Sequence, residues 1–209
     1  MAGRVIRQER AVQTRATLLR AAAEVFAESG YAGSNVSAIA ERAGLTLGAL
    51  YFHFRNKGHL AREIVLSQPD LVVPPHPSTG LQHAVDVTLT WAYQLLDNPV
   101  LLAGARLVME QEQFVEPSEN SHQQWTRVIS SDLHEAKRRR ELRAGVDVDA
   151  LARLVVNACT GAQMHSHLET RRRDLPDRVE EMWQCLLPAV AVPSAVKSLQ
   201  FGASRAKSA

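Results

Sequence analysis

Residues Thr46–Phe54 read TLGALYFHF, and this stretch decides the fold and the function class of the chain more than any other. It places small residues, a hydroxyl group, aromatic rings and an imidazole within about three helical turns. Gly48-Ala49 would let the backbone approach a partner surface closely, and Tyr51 and His53 offer hydrogen-bond donors to it. Because Gly44 follows a short amphipathic run just upstream, the segment predicts a helix-turn-helix that binds double-stranded DNA.

Length and composition exclude several other classes. The chain has 209 residues, and its hydrophobic content of 45% is enough for the core of one domain or two small ones. It contains no run of 18 apolar residues, and its first residues are polar and basic, so we expect a cytoplasmic protein without a membrane partner. Cys159 and Cys185 lack the spacing of a metal site or a redox motif, which favours buried apolar roles for both.

The positive charge is concentrated at the start of the chain. Residues 1–60 hold eight Arg and Lys residues against four Asp and Glu residues, whereas the net charge of the whole chain is only +2. A basic first quarter on a nearly neutral body suggests a module that faces phosphate groups, attached to a second module.

Helical periodicity runs through the whole sequence and predicts an all-α fold. Five polar residues stand where helix N-caps are expected: Asn35, Thr46, Asn56, Asn98 and Asp147. Four prolines between residues 69 and 80 interrupt the helices and mark a connector. We therefore predict a DNA-binding domain over residues 1–68 with an N-terminal basic arm, a Pro-rich connector over 69–80, a helical ligand-binding and dimerisation domain over 81–191, and a disordered tail over 192–209.

No motif indicates an enzyme or a metal site. The sequence lacks a nucleophile motif, a Gly-rich phosphate loop and a spaced carboxylate pair, so we expect no catalytic residues and no cofactor. The imidazoles of His165 and His167 lie two positions apart in a predicted helix and do not share a face, so we expect no metal ligands there.

The first quarter of the chain resembles the DNA-binding domain of TetR-family repressors. Small, aromatic and basic residues follow the order of that family over residues 12–60, at Gly44, Gly48, Tyr51, His53, Phe54 and Lys57. Further segments resemble the γ-butyrolactone receptors of actinomycetes, and together they cover roughly residues 7–192: Arg7–Val12, Gly48–Phe54, Ala103–Leu107, Thr160–Gln163 and Met182-Trp183. The resemblance implies a homodimeric repressor of secondary metabolism that leaves a pseudo-palindromic operator when a small lactone binds.

The resemblance also implies which residues meet DNA. The third helix would enter the major groove, with Thr46, Leu47, Gly48 and Ala49 at base edges or the groove wall. Phosphate contacts would come from Tyr51, His53 and Lys57, and from the basic arm through Arg10 and Arg15. Close relatives usually carry Lys at the position of Leu47, so this chain either recognises a different operator or binds DNA more weakly. Alternatively, Leu47 packs inward.

For the ligand, the resemblance assigns Trp125 to the surface that lies against the lactone, and Thr160 and Gln68 to polar contacts. Leu89, Tyr93, Val108 and Val128 are candidates for the apolar lining, and ordinary core packing is the alternative for every one of these positions. Because Gln68 ends the helix that follows the recognition module, a ligand that touches it could change the spacing of the two recognition helices.

The dimer would form through the last two long helices, at about residues 148–169 and 175–190. Candidates for that interface or its supporting core are Leu154, Val155, Val179, Met182, Trp183 and Leu186. Two alternatives stay open: a pseudo-receptor of the same fold that answers to an antibiotic or a biosynthetic intermediate, and a helical small-molecule binder without DNA binding.

Overall fold

The computed structural model describes residues 2–207, with the side chains of residues 8–117 and 119–207. The described chain is helical, and its only β-type pairing is an isolated bridge between Leu142 and Ala191. The helices are α1 (Ala2–Ser29), α2 (Val36–Arg42), α3 (Leu47–His53), α4 (Lys57–Leu66), α5 (Gln68–Leu71), α6 (Gly80–Gln94), α7 (Pro99–Leu107), α8 (Ser121–Arg138), α9 (Val148–Thr170), α10 (Leu175–Val190), α11 (Pro193–Ser198) and α12 (Ala203–Ala206). The all-α prediction is confirmed.

All five predicted N-caps are confirmed. In each case the side-chain oxygen accepts a hydrogen bond from a backbone N–H of the first helical turn, which satisfies one of the amide groups that a helix start leaves unpaired. The acceptor–donor pairs are Asn35 with Ala38, Thr46 with Ala49, Asn56 with His59, Asn98 with Val100 and Leu101, and Asp147 with Ala150.

The chain divides into two compact units, and the first is larger than predicted. It comprises residues 1–68 together with Asn98–Asn120, so that α7 belongs with α1–α4 rather than with the later helices. Ala103 and Leu107 of α7 are fully buried in the same apolar cluster as Phe26 of α1 and Leu60 of α4. The α-helical part of α7 ends at Leu107, and the chain continues as a 3₁₀ helix over Val108–Gln113.

The second unit consists of Pro69–Asp97 and Ser121–Ala209, as far as the described residues extend. In it α6 packs on α8, α10 and α12, and α9 packs on α8 and α10. Trp183 of α10 is fully buried and donates a hydrogen bond from Nε1 to Oγ1 of Thr88 on α6, at 2.8 Å. A buried indole N–H therefore has its partner inside the core of this unit.

The predicted disorder of the tail is wrong for residues 193–206, which form α11, a short connection and α12. Residues 208 and 209 lie outside the described part. Arg205 forms an ion pair with Asp86, a carboxylate that is completely buried on α6. The backbone N–H of Gln200 donates to Oε1 of Gln82, at 2.8 Å, and Ala206 is buried. The small, polar residues of the tail predicted disorder. Composition does not reveal its partners, because they lie more than a hundred residues earlier in the chain.

Neither cysteine indicates a redox or metal function. Burial raises the pKa of the Cys159 thiol to about 12, so this sulfur stays protonated and unreactive. Cys185 is exposed, contrary to the expected buried role. Within residues 2–207 no group of three or more His, Cys, Asp and Glu side chains could hold a metal ion, and no helix is long and apolar enough to cross a membrane.

Candidate nucleic-acid interface and ligand site

The recognition segment forms a short helix with one buried and one exposed side. Thr46 caps α3 through a 3.1 Å hydrogen bond from Ala49 N to its Oγ1. Leu50 and Phe54 anchor the helix, since both are buried in the core of the first unit. On the other side the side chains of Leu47, Tyr51 and Phe52 are 42%, 53% and 81% exposed.

This orientation excludes inward packing of Leu47. Thr46 and Gly48 are exposed as well, and Ala49 and His53 are half-buried, so the predicted base-facing residues lie at or near the surface of the unit. Phe52 was missed by the sequence analysis. The available signal was its spacing: Phe52 lies four residues after Gly48 and therefore on the same face of the helix. A Phe side chain on that exposed face has no partner in the core.

Two of the predicted phosphate ligands already have partners within the first unit. Arg15 forms an ion pair with Glu63 of α4, and its guanidinium carbon lies 5.0 Å from the centroid of the Phe54 ring. Nζ of Lys57 donates to the carbonyl oxygens of Tyr31 and Ser34, at 2.6 and 2.9 Å. These two cations connect the helices of the unit. A phosphate contact from either of them would therefore be made in addition to its bonds within the protein.

Exposed positive charge is present at Arg10 on α1 and at Arg55, just before α4. Arg55 is a second residue that the sequence analysis did not select. It borders a groove of about 620 Å³ at the start of α4, whose lining also includes Asn56, Lys57, Gly58, His59 and Arg62. Cations beside the amide groups of a helix start provide the chemistry that a DNA phosphate requires.

Gln68 lies two residues after the end of α4, at the start of α5, rather than at the end of α4 as predicted. Its side chain is only 4% exposed, and Nε2 is buried without a hydrogen-bond partner. The amide group occupies the space beside Gly104 of α7, where a Cβ atom would overlap it. Gly104 therefore provides the room for Gln68 inside the first unit.

The other predicted ligand contacts are distributed over both units. Val108 is half-buried at the start of the 3₁₀ helix of the first unit. In the second unit Leu89 is buried, whereas Tyr93, Trp125, Val128 and Thr160 are half-buried. The hydroxyl group of Thr160 donates to the carbonyl oxygen of Val156, at 2.9 Å, which leaves it free only to accept from a ligand.

The predicted dimer residues separate into two groups. Val155, Val179 and Trp183 are fully buried in their own unit and belong to the supporting core. Leu154 is 49% exposed, and Met182 and Leu186 are half-buried, so these three present apolar surface. On α9 the structure adds Leu168, at 81% exposure, which the sequence analysis did not select.

Comparison with known proteins matches both parts of the chain. The family of bacterial regulatory proteins of the tetR type matches residues 18–64, and the C-terminal domain of tetracyclin repressor-like proteins matches residues 78–193. The A-factor receptor protein of Streptomyces griseus is 34% identical over 93% of this chain and 70% of its own length.

Two solved structures extend the likeness to the fold. Full-length TylP, a TetR regulator from Streptomyces fradiae, has a TM-score of 0.85 and 38% identity over 94% of this chain and 95% of its own. CprB of Streptomyces coelicolor, solved in complex with its biological operator sequence, has a TM-score of 0.71 and 32% identity over 90% and 94% of the two chains. With a capped recognition helix, the two family domains and these relatives, the chain belongs to the TetR family of DNA-binding transcriptional repressors.

Proposed function

We propose that the protein represses genes of secondary metabolism as a homodimer and leaves its pseudo-palindromic operator when a γ-butyrolactone-type molecule binds. The observation that carries the DNA half is the orientation of α3. Buried Leu50 and Phe54 fix the helix, and its opposite side presents Leu47, Gly48 and Tyr51 to solvent. A rigid helix with a small-residue, aromatic face suits entry into the major groove.

The ligand half rests on the second unit and on the likeness to the A-factor receptor protein. Trp125 and Tyr93 offer partly accessible aromatic surface, and Thr160 offers an acceptor oxygen. A lactone with an alkyl tail requires such a site, with much apolar area and few polar contacts. We assign Leu89 and Val128 to the packing beneath these rings, and Val108 to the first unit.

Release of DNA would act through the end of α4. Gln68 lies two residues after the last residue of this helix and is held against Gly104 of α7, so a displacement of α7 would move the end of α4. Dimeric DNA binders place their recognition helices about 34–36 Å apart, one turn of DNA. A small change of this spacing is enough to lose one half-site.

The repressor function is tested by fluorescence anisotropy with duplexes from the region upstream of the gene for this chain. We expect tight binding at low salt and release on addition of a γ-butyrolactone. No binding at low salt would favour a helical small-molecule binder. Release by an antibiotic or a biosynthetic intermediate, but by no lactone, would favour a pseudo-receptor.

A reciprocal pair of variants separates the two halves. Trp125→Ala should keep DNA binding and lose the lactone response, whereas Tyr51→Ala should weaken binding to all duplexes and keep lactone binding. An unaltered response in Trp125→Ala would remove Trp125 from the ligand site. A loss confined to one operator variant in Tyr51→Ala would make Tyr51 a base reader.

The switch is tested by the distance between two spin labels. Ser37 is exposed on α2, so the substitution Ser37→Cys in a Cys185→Ser background places one label on each protomer beside its recognition helix. We expect the label–label distance to change when the lactone binds. An identical distance with and without the lactone contradicts the spacing mechanism.

A further inference from the structure

Helices α6 and α8 face each other along one stripe of each helix. Nδ1 of His83 lies 2.9 Å from Oδ2 of Asp132. Near the start of α6, a Cβ atom on Gly80 would lie 3.3 Å from Cα of Ala136, one turn further along α8. Because lower numbers on α6 meet higher numbers on α8, the two helices are antiparallel.

This register fixes what lies further along the stripes. Helical periodicity places positions 83, 87, 90 and 94 on one face of α6, and positions 124, 128 and 132 on one face of α8. One turn beyond the ion pair, Val87 reaches the level of Val128. One turn further, Thr90 reaches the level of Gln124, and Gln94 follows one turn later on α6.

From that level onward the stripes become polar, and oxygen atoms of three side chains lack partners. Oγ1 of Thr90, Oε1 of Gln94 and Oε1 of Gln124 are all buried without a hydrogen bond. Apart from Oδ2 of Asp132, which is paired with His83, the described residues have one other such atom, Nε2 of Gln68 in the first unit. Three of the four atoms without any partner therefore fall within about two turns of a single helix pair. We refer to Thr90, Gln94 and Gln124 as the polar layer.

A polar layer of this kind is unfavourable in the protein alone. An unpaired buried polar group loses its hydration without a compensating bond, and most such groups in folded proteins have a partner. A cluster of three within about two turns of one helix pair points to a ligand group that supplies the missing bonds. Amide carbonyl oxygens only accept hydrogen bonds, so the ligand group must donate them.

We propose that the polar layer binds hydroxyl or N–H donors of the effector, whose apolar body lies against the neighbouring rings of Tyr93 and Trp125. This inference rests on the proposed function and adds the chemistry of the ligand: a small amphipathic molecule with donor groups, rather than one with acceptors alone. It also assigns a part in effector specificity to three residues that the likeness to lactone receptors did not indicate.

The first test compares two lactones with the same carbon skeleton. Both are 2-alkyl-3-hydroxymethyl-γ-butyrolactones; one carries a hydroxyl group on the first side-chain carbon and the other a keto group. The wild-type protein should bind the hydroxy form about tenfold more tightly, measured by tryptophan fluorescence and calorimetry. Gln94→Met and Gln124→Met should reduce this preference to about threefold or less. An unchanged preference in both variants overturns the proposal.

The second test needs no ligand. Replacing an unpartnered buried amide by an apolar side chain of similar length removes a desolvation cost, so Gln94→Met and Gln124→Met should raise Tm by roughly 2–4 °C. Gln13→Met, the same change at an exposed position of α1, is the matched control and should shift Tm by less than about 1 °C. A fall in Tm in both layer variants would mean that the oxygens have partners within the protein, and it overturns the proposal.

The two tests keep the proposals apart. If neither lactone binds the wild-type protein, the lactone part of the proposed function fails, and the Tm shifts alone decide the polar layer. If both lactones bind equally in the wild-type protein and Tm falls in the layer variants, the polar layer fails while the lactone response stands.

Discussion

Helix α3 and the facing stripes of α6 and α8 depart from ordinary packing in opposite directions. On α3 the apolar side chains of Leu47 and Phe52 are exposed, whereas α6 and α8 bury polar oxygens of Thr90, Gln94 and Gln124 without partners. Exposed apolar groups and unpaired buried polar groups both disfavour the isolated protein. In each region the partner we propose supplies the missing chemistry: a groove wall with methyl groups for α3, and hydrogen-bond donors for the stripes.

The two departures differ in their cost to the free protein. An exposed Phe or Leu changes the free energy of unfolding little, because single apolar residues are common on protein surfaces. A buried unpaired oxygen costs about 1–3 kcal/mol. Substitutions on the exposed side of α3 should therefore change DNA binding without changing the free energy of unfolding. Substitutions in the stripes should change effector binding and the free energy of unfolding together.

The largest effect should come from the buried side of α3. Phe54→Ala should lower the free energy of unfolding by about 3–5 kcal/mol, because it leaves a cavity in the core and removes the ring below Arg15. Phe52→Ala, the same change two residues earlier, should alter it by less than about 0.5 kcal/mol and weaken operator binding. Urea unfolding and anisotropy measure both quantities. Equal stability losses in the two variants would contradict the assigned sides of the helix.

A second substitution tests the buried polar atom of the first unit. Gly104→Ala places a Cβ atom where the Gln68 amide group lies, and should lower the free energy of unfolding by about 1–3 kcal/mol. In the Gly104→Ala, Gln68→Ala double variant the collision is gone, so the combined loss should be smaller than the sum of the single losses. Additive losses, measured by urea unfolding, would show that the two residues do not compete for the same space.

Leu47→Lys sharpens the DNA side of the comparison. Position 47 is 42% exposed, so the new cation can reach a phosphate without disturbing the core. The plot of log K against log salt concentration should steepen by about 0.9, as expected for one additional phosphate contact, with stability unchanged. Leu47→Ala, which adds no charge, is the control and should keep the wild-type slope. A wild-type slope in Leu47→Lys would place this position away from the DNA backbone.

The smallest effect concerns the ion pair at the other end of the stripes. Hydrogen bonding to Asp132 raises the pKa of His83, with a smaller contribution from the charge of Asp86. Because the folded pKa lies above the unfolded one, this stabilisation is complete below the unfolded value of about 6.5 and is lost as the pH rises through the folded pKa. Between pH 5 and 8.5, Tm should fall more in the wild-type protein than in Asp132→Asn. Parallel curves would show that His83 gains nothing from the pairing.

The sequence predicts best what depends on neighbours in the chain. All five caps are confirmed because an N-cap bonds to an amide two or three residues later, so its signal lies within one turn. The identity of the recognition helix is local in the same way, since the small and aromatic residues of positions 46–54 are adjacent.

What the sequence did not predict depends on distant partners. Arg15 and Lys57 have the charge of phosphate ligands, but both have partners within the protein. Arg15 pairs with Glu63, and Lys57 donates to the carbonyl oxygens of Tyr31 and Ser34. Order in the tail comes from Asp86, and composition contains no information about that ion pair. The polar layer was missed because Thr90, Gln94 and Gln124 continue ordinary amphipathic stripes, and only the register of α6 on α8 brings them to the same end of the helix pair.

The position of α7 determines which residues must stay together when domains are exchanged between repressors. The 3₁₀ helix that follows α7 carries Glu110, whose carboxylate accepts from the backbone N–H groups of Tyr31 and Ala32, at 2.9 and 3.0 Å. A fragment that stops at Gln68 loses these bonds and uncovers the face of α1 that α7 covers. Recombination that exchanges effector specificity between such repressors must therefore carry residues 98–120 along with the DNA-reading half, as a separate piece of the gene.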